Sequence, residues 1–355
     1  MYFPKLSELP DVLRCNDGSF VTTAEEWEAK RRKEVYDCLA DSVYGRVPDL
    51  PIEVTHTKER TETAEGAEYD ITVTATTKFG SASFKAYISV PKASAPCPVV
   101  ELIQFPYQET ALFKEKLFAN GYALARFYYP EICADDNNDF SGGIHAVIRE
   151  PDGVRKPNTW GAVASWAWAA SRVMDIVETI PGIDSSRAAI VGHSRTGKAA
   201  LWCAASDRRF KMVCSNETGC SGAAITRGKQ GEHLKGLCEN FPCWLCDACA
   251  DIADDEDALA FDQHWLLGLA APAALYVTSA AGDLWSGPEG EFLGAKYAAE
   301  VYALYGKKGI ELEAFPEPGT VDQSGDIGYH LRTGEHALNA FDWDQIIRFA
   351  DKTVR

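Results

Sequence analysis

Short apolar runs that alternate with helical stretches constrain this chain more than any other feature. "CPVVELIQF" (97–105) and "YALARFYYP" (122–130) are continuous hydrophobic runs, as strands buried on both faces must be. Between them "ETALFKEKLFANG" reads as a helix that stops at Gly121. "SRAAIVG", "FKMVCSNE" and "AALYVTS" repeat the strand pattern, and "TWGAVASWAWAASRVMDIVETI" and "TGKAALWCAAS" the helical one. Strands alternating with helices predict βαβ units, hence a mostly parallel central sheet covered on both faces: an α/β, three-layer αβα sandwich. "YDITVTATTKFGSASFKAYISVPK", with Gly80 near its centre, predicts a β-hairpin ahead of that sheet. Residues 1–60 read as an N-terminal helical extension packed on the core, and 61–355 as one α/β domain.

Composition narrows the function. The 355 residues are 46% hydrophobic, enough for a substantial core. The net charge of -17 argues against a nucleic-acid partner, which needs a stripe of Lys and Arg to replace counterions. The basic run Lys30 to Lys33 lies within "AEEWEAKRRKEVYDCLA" and reads as a solvated helix face. No stretch is apolar over the length a membrane helix requires, so no membrane partner is expected. The first residues lack the basic and apolar regions of a signal peptide, and the 11 cysteines are scattered. Together these suggest reduced thiols and a cytoplasmic location. Residues 131–158, rich in Asn, Asp and Gly, read as a long loop of the kind that lines sites. Composition sets no oligomeric state and calls for no cofactor.

"IVGHSRTGKAALW" (190–202) holds Ser194 between Gly192 and Gly197. A hydrolase elbow is a strand, a tight turn and a helix, usually written G-x-S-x-G. Here the second glycine comes three positions after the serine and Thr196 fills the usual place. A serine capping a helix has a similar surrounding, so the turn alone leaves both readings open. Chain order favours the nucleophile, because an α/β-hydrolase triad runs Ser, acid, His. His336, in "RTGEHALNAFDW", is the last histidine and precedes a final amphipathic helix. His145, His233, His264 and His330 compete on composition alone, and His193 adjoins the serine. Glu217 and Asp283 each follow a strand at its carboxyl end, where sites in open α/β sheets are built. Either is able to orient the imidazole and stabilise its cation.

These residues resemble a known family. "GHSRTGK" is similar to the G-C-S-R-x-G-K motif of the glucuronoyl esterases, carbohydrate esterase family 15. "NETGCSGAA", "FDQHWLLGLAAP", "DLWSGPEGEF" and "GEHALNAFDW" resemble its later blocks, and the similarity spans roughly residues 95 to 352. Bacterial relatives of this type are often labelled acetylxylan esterases. The resemblance implies an α/β-hydrolase fold and a serine carboxylic-ester hydrolase acting on a carbohydrate ester from plant cell wall. The favoured ester is a 4-O-methyl-glucuronate ester, the alternatives an acetyl ester of an oligosaccharide or a catalytically inactive carbohydrate-binding relative. It implies Ser194 as nucleophile, His336 as base, Glu217 as acid and Asp283 at an alternative acid position. It further implies Arg195 at the oxyanion, Lys198 on sugar hydroxyls and Trp285 against a sugar face. The family's usual Cys before the serine, which often forms a disulfide, is His193 here, and its "APR" is "APAA" at Ala271 to Ala274.

A competing signal is "CENFPCWLCDACAD", with Cys238, Cys243, Cys246 and Cys249. The spacing suggests a zinc or iron–sulfur site. Phe241, Trp244 and Leu245 suggest instead a buried turn in which cysteine serves as a small hydrophobe. No second ligand pair follows at a zinc-module spacing, so no metal is expected.

Overall fold

The structure, a computed structural model, describes residues 4–135, 140–228 and 230–355. Ten strands form one sheet: β1 (Glu53–Glu62), β2 (Gly66–Thr77), β3 (Gly80–Pro91), β4 (Cys97–Gln104), β5 (Ala123–Tyr128), β6 (Ile183–His193), β7 (Phe210–Asn216), β8 (Ala274–Ala280), β9 (Thr320–Asp322) and β10 (Ile327–Arg332). Their order is β1-β2-β3-β5-β4-β6-β7-β8-β10-β9. Strands β5, β4, β6, β7, β8 and β10 are mutually parallel. The antiparallel members β1, β2, β3 and β9 lie at the two edges.

Side-chain alternation along the central strands builds two cores. Val99 and Ile103 of β4 face one core, shared with Trp166, Met174 and Leu201 of the helices Ala162–Val177 and Arg195–Ser206. Val100 and Leu102 face the other, shared with Phe113, Leu117, Trp343 and Ile346 of the helices Thr110–Ala119 and Ala340–Thr353. The fold is therefore the three-layer αβα sandwich of an α/β-hydrolase. Every residue of β4 is buried, which is why its apolar run is unbroken apart from Glu101 and Gln104.

Before the sheet, the chain is helical from 24 to 44. Trp27, Val35, Leu39 and Tyr44 are fully buried there. Tyr36 and Tyr44 stack on Trp202, with centroids 4.8 and 4.4 Å away, and so pin the segment to the helix that follows Ser194. The boundary drawn at residue 60 falls inside β1, the exposed edge strand, whose register runs from Glu53 opposite Thr76 to Glu62 opposite Ala67. The loop 131–158 contains a short helix, Gly143–Val147, and its residues 136–139 lie outside the described part of the chain. Among the described residues no helix is long and apolar enough to cross a membrane.

Glu101, in the middle of β4, is fully enclosed, and among the described residues neither carboxylate oxygen meets a hydrogen-bond partner. Burial pushes its carboxyl well above the usual range, so the folded protein holds it protonated. An acid whose folded pKa is raised stabilises the fold least at high pH, because only the unfolded chain gains by ionising. Replacing it with Met keeps the shape and removes the polar atoms. Glu101→Met is expected to stabilise the fold by about 1–3 kcal/mol, with the gain larger at pH 8 than at pH 5. Thermal unfolding of both proteins at the two pH values checks this.

Candidate active site

The turn at Ser194 explains the displaced glycine. Ser194 has φ 54° and ψ -129° between β6 and the helix Arg195–Ser206, a conformation that costs a residue with a side chain roughly 1–3 kcal/mol. Its N–H donates to Asn216 O at 2.8 Å, and Gly197 N–H donates to Ser194 O at 3.0 Å. A Cβ on Gly192 would lie 2.2 Å from Thr196 O, and one on Gly197 would lie 2.2 Å from Thr218 Cγ2. The close approaches thus fall at the positions two before and three after the serine. Thr196, between them, is used: its hydroxyl donates to His193 O at 2.8 Å and accepts from His193 N–H at 3.0 Å.

The structure brings together the residues singled out in the sequence. Ser194, Arg195, Lys198, Glu217, Trp285 and His336 line one cavity of about 170 Å³, together with Glu232, Phe241 and Trp244. Asp283 joins them through His336. A larger hollow of about 530 Å³ opens at the amino ends of β7 and β8, but no serine, cysteine or histidine lines it.

His336 is in the loop between β10 and the last helix, with its side chain 40% exposed. Both candidate acids reach the same nitrogen. Nδ1 lies 2.6 Å from Asp283 Oδ2 and 3.2 Å from Glu217 Oε2. The two carboxylates are held differently. Glu217, at φ 50°, is buried, bonds Arg332 through Oε1, and accepts from Ala337 N–H at 2.7 Å. Asp283 is held besides by Ser286, whose N–H donates to Oδ1 at 3.2 Å. Burial disfavours the imidazolium, but the bonds and charges of Asp283 and Glu217 outweigh it and lift His336 to about 9. Burial lifts Glu217 to about 6, against the pull of His336 and Arg332. For Asp283, burial is outweighed by the bonds from His336 and Ser286, which hold it below the usual range. No hydrogen bond joins Ser194 Oγ to His336, and such a pair commonly tightens only around substrate.

The remaining polar residues are committed in ways the sequence does not display. Lys198 is buried, and its Nζ donates to Thr218 O at 2.6 Å, to Cys220 O, and to Glu232 Oε2 at 2.8 Å. Its three donors are used, and Glu232 keeps one oxygen without a partner among the described residues. Arg195 pairs with Asp135 through Nη1 and lies over Trp244, 4.5 Å from the ring centroid. Trp244 Nε1–H donates to the other oxygen of Asp135 at 2.6 Å and its ring stacks on Phe241 at 4.0 Å. Arg195 Nε is buried and has no partner among the described residues. Glu291 is fully buried and accepts from the N–H groups of Thr218 and Gly219 at 2.5 and 3.0 Å and from Ser279 Oγ at 2.6 Å. It fixes the turn after Glu217, and burial pushes its pKa to about 8. Trp285 stands 58% exposed at the rim.

The competing histidines are elsewhere. His330 is enclosed between Tyr276 and Asp342, and His264 faces Pro10 O. His145 is buried against Phe140 and Trp160, and His233 pairs with Glu256. His193 is 4% exposed, its ring 4.5 Å from that of His336. Of the cysteine run, Cys243, Cys246 and Cys249 are buried and Cys238 is half-buried, the outer two on the helices Leu234–Asn240 and Ala248–Ile252. The turn between those helices delivers Phe241 and Trp244 to the cavity.

A serine on a tight turn at the carboxyl edge of a parallel sheet, followed by a histidine loop before the last helix, defines an α/β-hydrolase. Residues 71–306 match the family model described as glucuronyl esterase, fungi. A carbohydrate esterase from an unknown prokaryotic organism is 35% identical over 97% of this chain and 89% of its own. A 4-O-methyl-glucuronoyl methylesterase of Schizophyllum commune is 28% identical over 88% of this chain and 77% of its own. Among solved structures, a glucuronoyl esterase from Solibacter usitatus matches with a TM-score of 0.88 at 34% identity, covering 97% of each chain. The chain belongs to the glucuronoyl esterase family and is a carboxylic-ester hydrolase.

The unequal anchoring of the two acids separates their expected effects. Asp283→Asn removes the shorter bond to Nδ1 and is expected to lower kcat by about 10²–10⁴-fold. Glu217→Gln leaves Arg332 short of a partner and is expected to cost more stability than activity. Because each carboxylate raises the His336 pKa, either change moves the acidic limb of the kcat/KM profile to lower pH than in the parent. Steady-state rates across pH, with thermal unfolding of each variant, check all three statements.

Proposed function

We propose that the chain is a serine esterase that cleaves glucuronoyl esters of plant-wall xylan fragments, with Ser194, His336 and the Asp283–Glu217 pair as its catalytic group. The observation that carries the substrate class is the buried Lys198–Glu232 ion pair in the wall of the cavity that holds Ser194 and His336. A charged pair enclosed beside a nucleophile suits a polyhydroxylated acyl group, whose hydroxyls satisfy the unused Glu232 oxygen. Trp285 at the rim gives a sugar ring a flat apolar face.

The reaction follows from the geometry. His336, once neutral, takes the proton of Ser194 as Oγ attacks the ester carbonyl. Asp283 and Glu217 hold the Nδ1 proton and stabilise the imidazolium. The oxyanion lies against the first N–H groups of the helix Arg195–Ser206, with the Arg195 guanidinium in the cavity wall. Asp135 and Trp244 keep that guanidinium from swinging away. The alcohol leaves with the proton from His336, and water, activated by the same imidazole, releases the uronic acid. The scatter of the eleven cysteines along the chain supports a reducing compartment such as the cytoplasm.

A rate comparison tests the reading. Benzyl glucuronate is expected to be hydrolysed with higher kcat/KM than an acetylated xylo-oligosaccharide. Ser194→Ala is expected to lose about 10⁴–10⁶-fold in kcat. A preference for the acetyl ester would overturn the glucuronoyl assignment, and full activity in Ser194→Ala would overturn the nucleophile.

A further inference from the structure

The ester chemistry uses His336, Glu217 and Asp283 and leaves His193 without a task. With Asn216 oriented as it stands in the structure, the hydrogen bonds around His193 assign its tautomer. Asn216 Nδ2 donates to Thr278 Oγ1 at 2.7 Å, which turns Asn216 Oδ1 toward His193 Nδ1 at 2.5 Å. An amide oxygen only accepts, so Nδ1 carries the proton and Nε2 keeps its lone pair. Ligand atoms of His193, Glu217 and His336 all lie within 4.8 Å of one another. Among the described residues this is the one group of three His, Cys, Asp or Glu side chains that converges so closely.

We propose that His193, His336 and Glu217 form a binding site for a divalent transition-metal ion, best matched by zinc. Two imidazole nitrogens and one carboxylate are donors of the kind that select zinc, cobalt, nickel or copper over magnesium and calcium. Tetrahedral bonds of about 2.0–2.2 Å place ligand atoms roughly 3.4 Å apart, so small side-chain shifts complete the set. The supporting groups are already in place. Asn216 orients His193, while Arg332 and Ala337 N–H hold Glu217, as outer partners orient metal ligands elsewhere. The exposed edge of His336 gives an ion a route in, and Glu217 and His336 also line the cavity that holds Ser194. Metal at His336 Nδ1 displaces the proton held toward Asp283, so binding releases a proton. The site also predicts reversible inhibition of the esterase by zinc. That consequence rests on His336 being the catalytic base, whereas the binding itself does not.

Titration calorimetry of the metal-free full chain with zinc chloride, paired with cobalt(II) absorption, tests the site. Wild type is expected to bind one zinc equivalent that His193→Phe binds at least about tenfold more weakly. Its cobalt spectrum is expected to lack the intense near-ultraviolet band of thiolate ligation. His193→Cys places a thiolate at the same point, so binding is expected to return and the band to appear. Unchanged affinity in His193→Phe, or a thiolate band accounting for the cobalt bound by wild type, overturns the site in favour of the cysteines. Should His193→Phe fail to fold, His193→Cys decides alone: a cobalt spectrum identical to wild type overturns the proposal. Zinc bound at this site with no loss of esterase rate leaves the metal site standing and removes His336 as the base.

Discussion

The position of His336 depends on one buried guanidinium. Arg332 ends β10 and is 4% exposed. Its Nε–H is shared between Asp342 Oδ1 and Oδ2 at 3.0 and 3.1 Å, and Nη2 bonds Glu217. The same nitrogen donates to the carbonyls of Glu335 and Ala337, the residues on either side of His336, at 2.9 and 2.7 Å. A buried cation is stable only when its partners surround it, and removing one member of such a set costs about 3–5 kcal/mol. Asp342 in turn accepts from Asn339 N–H and faces His330, which bonds Tyr276 of β8. The histidine loop is thus tied to β7, β8, β10 and the last helix at once, and Glu217 serves that scaffold as well as the imidazole.

Ser194 depends on a second constraint, the close contact of backbones at the elbow. Strand β6 and the helix after it leave no room for a Cβ at Gly192 or Gly197. A hydroxyl at Thr196 bridges the turn that the two glycines allow. The spacing G-x-S-x-x-G is therefore the elbow geometry with the second contact moved from the turn itself to Thr218, the residue after Glu217. The turn at Ser194 and the turn after Glu217 pack directly on each other, and Glu291 fixes the second of them.

The parts of this design that were legible in the sequence are those with a local signature. Strand β4 reads as a buried strand because its neighbours on both sides are apolar layers, and the β2–β3 hairpin reads from its alternation around Gly80. Ser194, Glu217, Asp283 and His336 stand out because each follows a strand in the right chain order. The choice between the two acids stayed open for a physical reason: both carboxylates meet Nδ1. Asp135, Glu232, Arg332 and Glu291 carry no such signature. The bonds from Asp135 to Arg195, Glu232 to Lys198, Arg332 to Glu217 and Glu291 to Thr218 span 34 to 115 positions, so neither periodicity nor turn chemistry marks them. Strand β1 escaped for a different reason, since its ten residues are exposed throughout and lack the apolar alternation that signals a strand. Trp244 read as an apolar turn residue, and it is one; what the sequence omits is that the turn opens onto the cavity.

Charge in the cavity bears on how the proposed reaction ends. Glu217, Asp283 and Glu232 bring carboxylates to the site, and each nearby cation already has a partner. Lys198 is bound to Glu232, Arg195 to Asp135, and Arg332 to Glu217 and Asp342. A glucuronoyl ester is neutral, as is the acyl-enzyme it forms, so neither is repelled. Deacylation creates a carboxylate among carboxylates, within a chain of net charge -17, and finds no uncommitted cation among the groups named here. Coulomb repulsion in a partly enclosed site then acts on the product and not on the substrate. The donors at the oxyanion position, meanwhile, favour the tetrahedral state in which negative charge is transient. In the proposed reaction the arrangement thus discriminates by charge at each stage, binding the neutral ester, stabilising the fleeting anion and releasing the permanent one.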